Sequence, residues 1–213
     1  GQQGGAVAAA LAAKGVSVVA VTRNPDSDKA KALASVPNTE VRKADLNDKA
    51  TLVAAFAGCD GAFVVANFWE GMDVATEMVH YKNAADALRE VGSMKHIVYT
   101  TLEETTKTPG CDDFKTLAEH ESGKMYVPHF DGKARAESYF DGLPLTYMVT
   151  SCYFENFTTF FAFKKQEDGS YAFTLPPWRQ AHPLDDIAGS GRPCRRHLRQ
   201  ARACGPAGGT SLL

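Results

Sequence analysis

A chain of 213 residues, 44% of them hydrophobic and 23% charged, is long enough for one α/β domain with a sizeable core and has the balance of a globular rather than a disordered chain. Its longest apolar runs reach about eight residues, well short of the roughly 20 that a membrane-spanning helix needs. The net charge of −2 hides an asymmetry: all 25 acids lie at or before Asp186, where 18 Lys and Arg leave a balance of −7, while the last 27 residues carry five Arg and no acid. So acidic a bulk argues against a dedicated nucleic-acid binder. Five Cys, an odd number without a Cys-x-x-Cys spacing, predict free thiols in a reducing compartment, hence the cytoplasm.

The chain opens on Gly1-Gln2-Gln3-Gly4-Gly5, then an Ala-rich helical segment that stops at Lys14-Gly15, and then a β-branched strand from Val16 to Val21. Glycine loop, helix and strand, ending in Thr22-Arg23-Asn24-Pro25, are the second half of a dinucleotide-binding βαβ unit. The first strand of such a unit is expected ahead of Gly1. Next come a short helix capped by Asp26 or Ser27, a strand over Thr39–Arg42, and a helix capped by Asn47 or Asp48. The continuous apolar run Ala62–Ala66 reads as a strand covered on both faces, with Asn67-Phe68-Trp69-Glu70 at its carboxyl end. A long helix over Asp73–Val91 carries an apolar stripe at Val74, Met78, Tyr81, Ala85 and Leu88.

Lys95–Thr100 is the next buried strand. A polar, irregular stretch from Leu102 to Val127 follows, with a helix expected at Asp113–Glu121. Another helix opens at Pro128 and runs to Phe140, and Pro144–Val149 is a further strand. A hairpin is predicted to turn at Asp168-Gly169. This alternation of strands and helices predicts an α/β fold of Rossmann-like type: a doubly wound parallel sheet, its first strand missing, with the start of a small C-terminal subdomain. The expected division is a domain over 1–186 and a basic low-complexity tail over 187–213. Half of all the Arg fall in that tail. A basic arm, a disordered linker and an out-of-frame translation are three readings of it, and the mixture of Arg, Gly, Pro, Ala and Cys fits the third best.

The segments GQQGG, VVAVTRNP, KADLND, FVVANFWE, HIVYTTLE, HFDGKARAESYF and SCYFENF, in this order and spacing, resemble the NmrA-like family, and above all its HSCARG redox-sensor branch. These are atypical short-chain dehydrogenases/reductases. The resemblance covers most of residues 1–186. It implies an NADP(H)-binding Rossmann domain with Gly1, Gln2 and Gln3 in the pyrophosphate loop. By the same resemblance Arg23, Asn24 and Pro25 border the adenosine 2′-phosphate, and Asp45 and Leu46 the adenine. Ala66, Asn67 and Phe68 line the nicotinamide ribose, with Lys133 and Tyr153, Phe154, Glu155 and Asn156 near the nicotinamide.

Arg23 carries cofactor choice in this reading, because an acid at the end of that strand would serve a ribose diol, whereas a guanidinium meets a 2′-phosphate. Lys133 is the candidate catalytic residue, yet no Tyr-x-x-x-Lys occurs and the residue four before it is His129, read as a packing residue at a helix start. The expected function is a redox sensor or transcriptional co-regulator with a regulatory protein partner or self-association, in the cytoplasm and also the nucleus. The alternative is an NADPH-dependent reductase of a small carbonyl or quinone, using Lys133 and a water. No metal, membrane or direct nucleic-acid partner is expected; His120 reads as a solvated helix end, Cys152 as a small buried hydrophobe, and Phe157, Phe160, Phe161 and Phe163 as core or interface.

Overall fold

The computed structural model describes residues 1–111, 114–150, 152–159 and 161–172. The chain divides into two compact units, Gly1–Cys152 and Tyr153–Leu213. The tail expected over 187–213 lies outside the described residues, as do Phe160 and the last residues of the predicted hairpin segment.

The first unit alternates helix and strand. Helix α1 (Gln2–Ala13) begins at once, with Gly1 as its N-cap, so the expected glycine loop is already the first turn. Gly15, at φ +77°, turns the chain into β1 (Val18–Thr22). Ser27 caps α2 (Asp28–Ala34) by accepting from the Ala30 N–H, and β2 (Thr39–Lys43) follows. Asp48, rather than Asn47, caps α3 (Lys49–Phe56). Then come β3 (Gly61–Val64), a 3-10 turn at Phe68–Glu70, and α4 (Val74–Val91), whose first amides Ala75 and Thr76 donate to the Asp73 carboxylate. Gly92, at φ +66°, ends α4 in a left-handed cap.

After β4 (His96–Thr101) the helix expected at Asp113–Glu121 is absent. Asp112 and Asp113 lie outside the described residues, and from Ala118 the chain forms a hairpin instead, β5 (Ala118–His120) with β6 (Gly123–Met125). The hairpin wins because its carbonyls have a strong partner elsewhere: the Arg135 guanidinium donates to the Ser122, Gly123 and Lys124 carbonyl oxygens. Met125 at its end is fully buried, and His120 ends a strand, not a helix. Helix α5 (Pro128–Ala136) tightens into a 3-10 turn at Glu137–Phe140, and β7 (Leu145–Val149) completes the unit.

All five long strands pair in parallel, in two ladders: β1 with β2, and β3-β4-β7 in that order. Among the described residues the far edges of β1 and β3 have no strand partner. The run Ala62–Ala66 is accordingly half-buried, with only Val64 and Ala66 enclosed. The main core joins α4 to that second ladder through Val64, Tyr81, Ala84, Ala85, Leu88, Ile97, Tyr99 and Phe140. The stripe predicted on α4 is buried at all five positions. Among the described residues no helix is long and apolar enough to cross a membrane, and no group of three or more His, Cys, Asp or Glu could hold a metal.

In the second unit Phe154–Thr158 form a 3-10 turn, and β8 (Lys164–Lys165) pairs with β9 (Tyr171–Ala172). Gly169, at φ +86°, makes the turn the sequence predicts. Phe157 and Phe161 stack with ring centroids 6.1 Å apart, while Phe157 and Phe163 remain substantially exposed.

Candidate functional site

Ligands of parallel α/β folds gather at the carboxyl ends of the strands, where chain leaves the ladder and side chains become available. In the first unit the ends of β1 and β3 contribute to one small recess of about 160 Å³, shared with the start of α4. Arg23 reaches it from just beyond β1, Asn67, Phe68 and Glu70 from beyond β3, and Thr76, Glu77 and His80 from α4. Arg23 is ion-paired with Glu70, both side chains about half exposed. Asn24 stays exposed and organises the turn, its Oδ1 accepting from the Asp26 N–H at 3.1 Å; Pro25 is half-buried beside it.

Asp45 lies behind this recess with Leu46. Its carboxylate accepts from the Asn47 N–H at 2.9 Å and from the Asn47 side-chain amide at 3.1 Å. The backbone donor holds it below the usual carboxylate range. The Leu46 carbonyl accepts from Asn83 of α4 at 2.8 Å. His80 sits 3.1 Å from Asn47 Oδ1, and burial pushes its imidazole below its ordinary value. Ala66 is enclosed, and its N–H donates to the Tyr81 hydroxyl at 3.0 Å.

A second cluster continues inward from Glu77. That carboxylate is 2% exposed and ion-paired with the Lys133 ammonium, while its other oxygen, Oε2, has no hydrogen-bond partner. Burial drives the Glu77 carboxyl upward and the Lys133 charge opposes the shift. Helices α4 and α5 can bring the two together because residue 132 is Gly: a Cβ there would lie 2.7 Å from Val74 Cγ2 and 3.3 Å from Glu77 Oε2. The Tyr99 hydroxyl donates to the Lys133 carbonyl at 2.6 Å, and the Tyr81 and Tyr99 rings meet edge to face with centroids 4.8 Å apart. Both phenols are fully buried, which pushes them up and keeps them protonated. His129, on the first turn of α5, packs its ring 4.7 Å from Trp69 and 5.6 Å from Phe68, and burial lowers its pKa to about 4.

Asp131 and Arg135 fasten the 102–127 stretch to α5. The fully buried Asp131 carboxylate accepts from the Thr105 N–H and hydroxyl and from the Tyr126 and Val127 N–H groups, at 2.6 to 3.0 Å. Arg135 pairs with Glu104 at 3.0 Å in addition to the three hairpin carbonyls. A larger open cleft of about 770 Å³ lies along this side, lined by Glu103, Glu104, Arg135, Glu137 and Tyr147 among others, and includes none of the residues expected at a cofactor site.

The recess and the Glu77–Lys133 pair thus unite Arg23, Asn67, Phe68 and, through Glu77, Lys133. Gly1, Gln2 and Gln3 open α1, which packs on β1. Gly1, Gly4 and Gly5 have nothing within 4 Å of where a Cβ would stand, and the buried Gln3 Oε1 has no partner. Tyr153, Phe154, Glu155 and Asn156 belong to the second unit, on its opening turn, with Phe154 89% exposed. Cys152, expected to be buried, is exposed, since it follows the last paired residue of β7, Val149.

Sequence reasoning missed Glu70, Glu77, Asp131 and Arg135. Glu77 had a signal, since it lies three residues after Val74 and four before Tyr81, on the very stripe that is buried.

A model of the NmrA-like family matches residues 1–189. The chain belongs to the NmrA-like family. The NmrA-like oxidoreductase FrzB of Cladobotryum sp. is 32% identical over 195 residues, covering 84% of this chain and 54% of FrzB. The NmrA-like oxidoreductase notA of Aspergillus sp. (strain MF297-2) is 40% identical over 112 residues, 50% of this chain and 32% of notA. The chain therefore spans about half the length of FrzB and a third of notA. Among solved structures, NmrA, a negative transcriptional regulator, in complex with NAD, superposes with a TM-score of 0.61 at 23% identity, covering 79% of this chain and 49% of that one. That likeness establishes the Rossmann-like fold. The NADPH-dependent quinone oxidoreductase QOR2 of Escherichia coli, complexed with NADPH, gives a TM-score of 0.51 at 26% identity, covering 73% and 48%.

Proposed function

We propose that this NmrA-like chain binds NADP(H) and acts as a redox sensor whose cofactor occupancy is read by a regulatory partner or by self-association, in the cytoplasm and nucleus. The observation that carries the reading is the sealed state of Lys133. Its ammonium is committed to Glu77, and the two phenols packed over this segment are buried with their hydroxyls engaged. His129 is held neutral well below pH 7. Hydride transfer to a carbonyl needs a proton for the nascent alkoxide, and general acid catalysis contributes about 10²–10⁴-fold. Among the described residues around Lys133 none is a positioned, exposed acid, so this chain is expected to bind the dinucleotide and turn it over slowly.

The residues fit the cofactor on three counts. Glycines at 1, 4 and 5 leave open space at a helix N-terminus, although a helical Gly costs roughly 1 kcal/mol relative to Ala. That space suits the close approach of a pyrophosphate. Gln3 Oε1 is a buried acceptor without a partner. Arg23 stands at the end of β1 with its charge held at the rim of the recess. Bound there, the nicotinamide would supply the hydride; the residues of this chain bind, orient and shield it. Oxidised and reduced forms differ in charge at the ring, so any difference in their affinities shifts the population that a partner meets.

A second reading is an NADPH-dependent oxidoreductase. The names of FrzB, notA and QOR2 favour it. Parallel measurement of NADPH binding and of NADPH oxidation with a panel of quinones and aldehydes separates the two. The sensor reading expects saturable binding with no substrate-dependent loss of absorbance, and Lys133→Ala weakening the binding. Robust turnover that vanishes in Lys133→Ala with binding retained would replace it with the reductase.

A further inference from the structure

We infer that Glu70 sets the chain's preference between 2′-phosphorylated and unphosphorylated dinucleotides by competing for the Arg23 guanidinium across the recess. The inference rests on the reading of Arg23 as the 2′-phosphate residue. Arg23 follows β1 and Glu70 ends the turn after β3, so the pair joins two strand ends that are far apart in sequence. Their side chains are 57% and 50% exposed, which leaves the pair open to exchange; the Glu77–Lys133 pair, at 1% and 11%, is closed to it.

The neighbouring charges reach Arg23 less directly than Glu70 does. Asp45 acts on the guanidinium through space, with one of its oxygens accepting both Asn47 donors, and the His80 ring is tied to Asn47 Oδ1, burial lowering its pKa. Among the described residues the Glu70 carboxylate has no hydrogen-bond partner besides Arg23.

A phosphate carries about −1.5 to −2 charges and three acceptor oxygens, so it takes the guanidinium from a carboxylate and leaves that carboxylate unpaired beside a like charge. A dinucleotide with a free ribose diol requires no such displacement, because a carboxylate accepts hydrogen bonds from hydroxyls directly. Glu70 therefore opposes one ligand and tolerates or helps the other.

The test is equilibrium titration of NADPH and NADH, at low ionic strength, into the chain and its Glu70→Gln and Arg23→Ala variants, with circular dichroism confirming that each is folded. Glu70→Gln should raise the NADPH-to-NADH affinity ratio about two- to fivefold, the change that ~0.4–1 kcal/mol for an exposed ion pair corresponds to. The shift should shrink in high salt, as a screened charge effect must. A ratio unchanged or lowered in Glu70→Gln, or equal tightening of both ligands, overturns the inference while leaving Arg23 in place if Arg23→Ala abolishes the NADPH preference. Equal losses for the two ligands in Arg23→Ala would instead remove the 2′-phosphate reading itself.

Discussion

Gly132 sits where two helices pass so closely that a single methyl group decides the packing. A Cβ at 2.7 Å from Val74 Cγ2 cannot be relieved by a rotamer change, because a β-branched residue in a helix is nearly confined to one. Gly132→Ala gains helix propensity worth about 0.5–1 kcal/mol, but overpacking costs about 1–3 kcal/mol, and the second term wins. We expect a net loss of about 1 kcal/mol in denaturant unfolding. Adding Val74→Ala should make the pair non-additive, since the clash is gone; strict additivity would refute the contact. His129 makes a prediction about pH. Its folded pKa of about 4 is below the ordinary 6.5, so the unfolded chain binds the proton more readily between these values. The stability it contributes is complete above about pH 6.5 and is lost as the pH falls toward 4. Melting temperatures measured from pH 7 to 5 should drop less steeply in His129→Phe than in the parent chain, and identical slopes would show that the ring is not held neutral.

At the scale of elements, α5 works as a latch. Asp131 alone satisfies donors from Thr105, Tyr126 and Val127, so Asp131→Ala strands the buried Thr105 amide at about 1–3 kcal/mol and two half-buried amides at less. Hydrogen exchange should then accelerate across 102–127 while α4 and β4 stay protected; uniform acceleration would mean that the latch is part of the global core. This is also where the sequence was least legible. Helix α4, its cap Asp73 and its five-residue stripe follow from periodicity and capping chemistry, which are local signals. The β5–β6 hairpin does not, because what decides it is Arg135, more than ten residues downstream, collecting its turn carbonyls. The candidate site divides in the same way. Arg23, Asn67 and Lys133 were legible from their places at strand ends and in family-like segments. Of their partners, Glu77 was signalled only by its place on the buried stripe of α4 and Glu70 not at all, since an ion pair between distant residues leaves no mark on either one's neighbours in sequence.

For the molecule as a whole, the governing fact is a parallel sheet in two ladders. Among the described residues β1, β3 and β7 each have an edge without a strand partner, and Val21 and Val149 stand exposed on two of these strands. The β3-β4-β7 ladder also constrains the route by which the chain reaches its native state. Ile97 must find Leu145 across a long stretch of chain, whereas His120 meets Gly123 almost at once. Loop closure is the slow, entropically opposed step of such a topology. Everything between β4 and β7 that condenses early shortens the distance left to search. We expect the hairpin and α5, clasped by Asp131 and Arg135, to condense early, so that loosening the clasp in Asp131→Ala delays refolding as well as hastening unfolding in stopped-flow measurements; an unchanged refolding rate would refute the order.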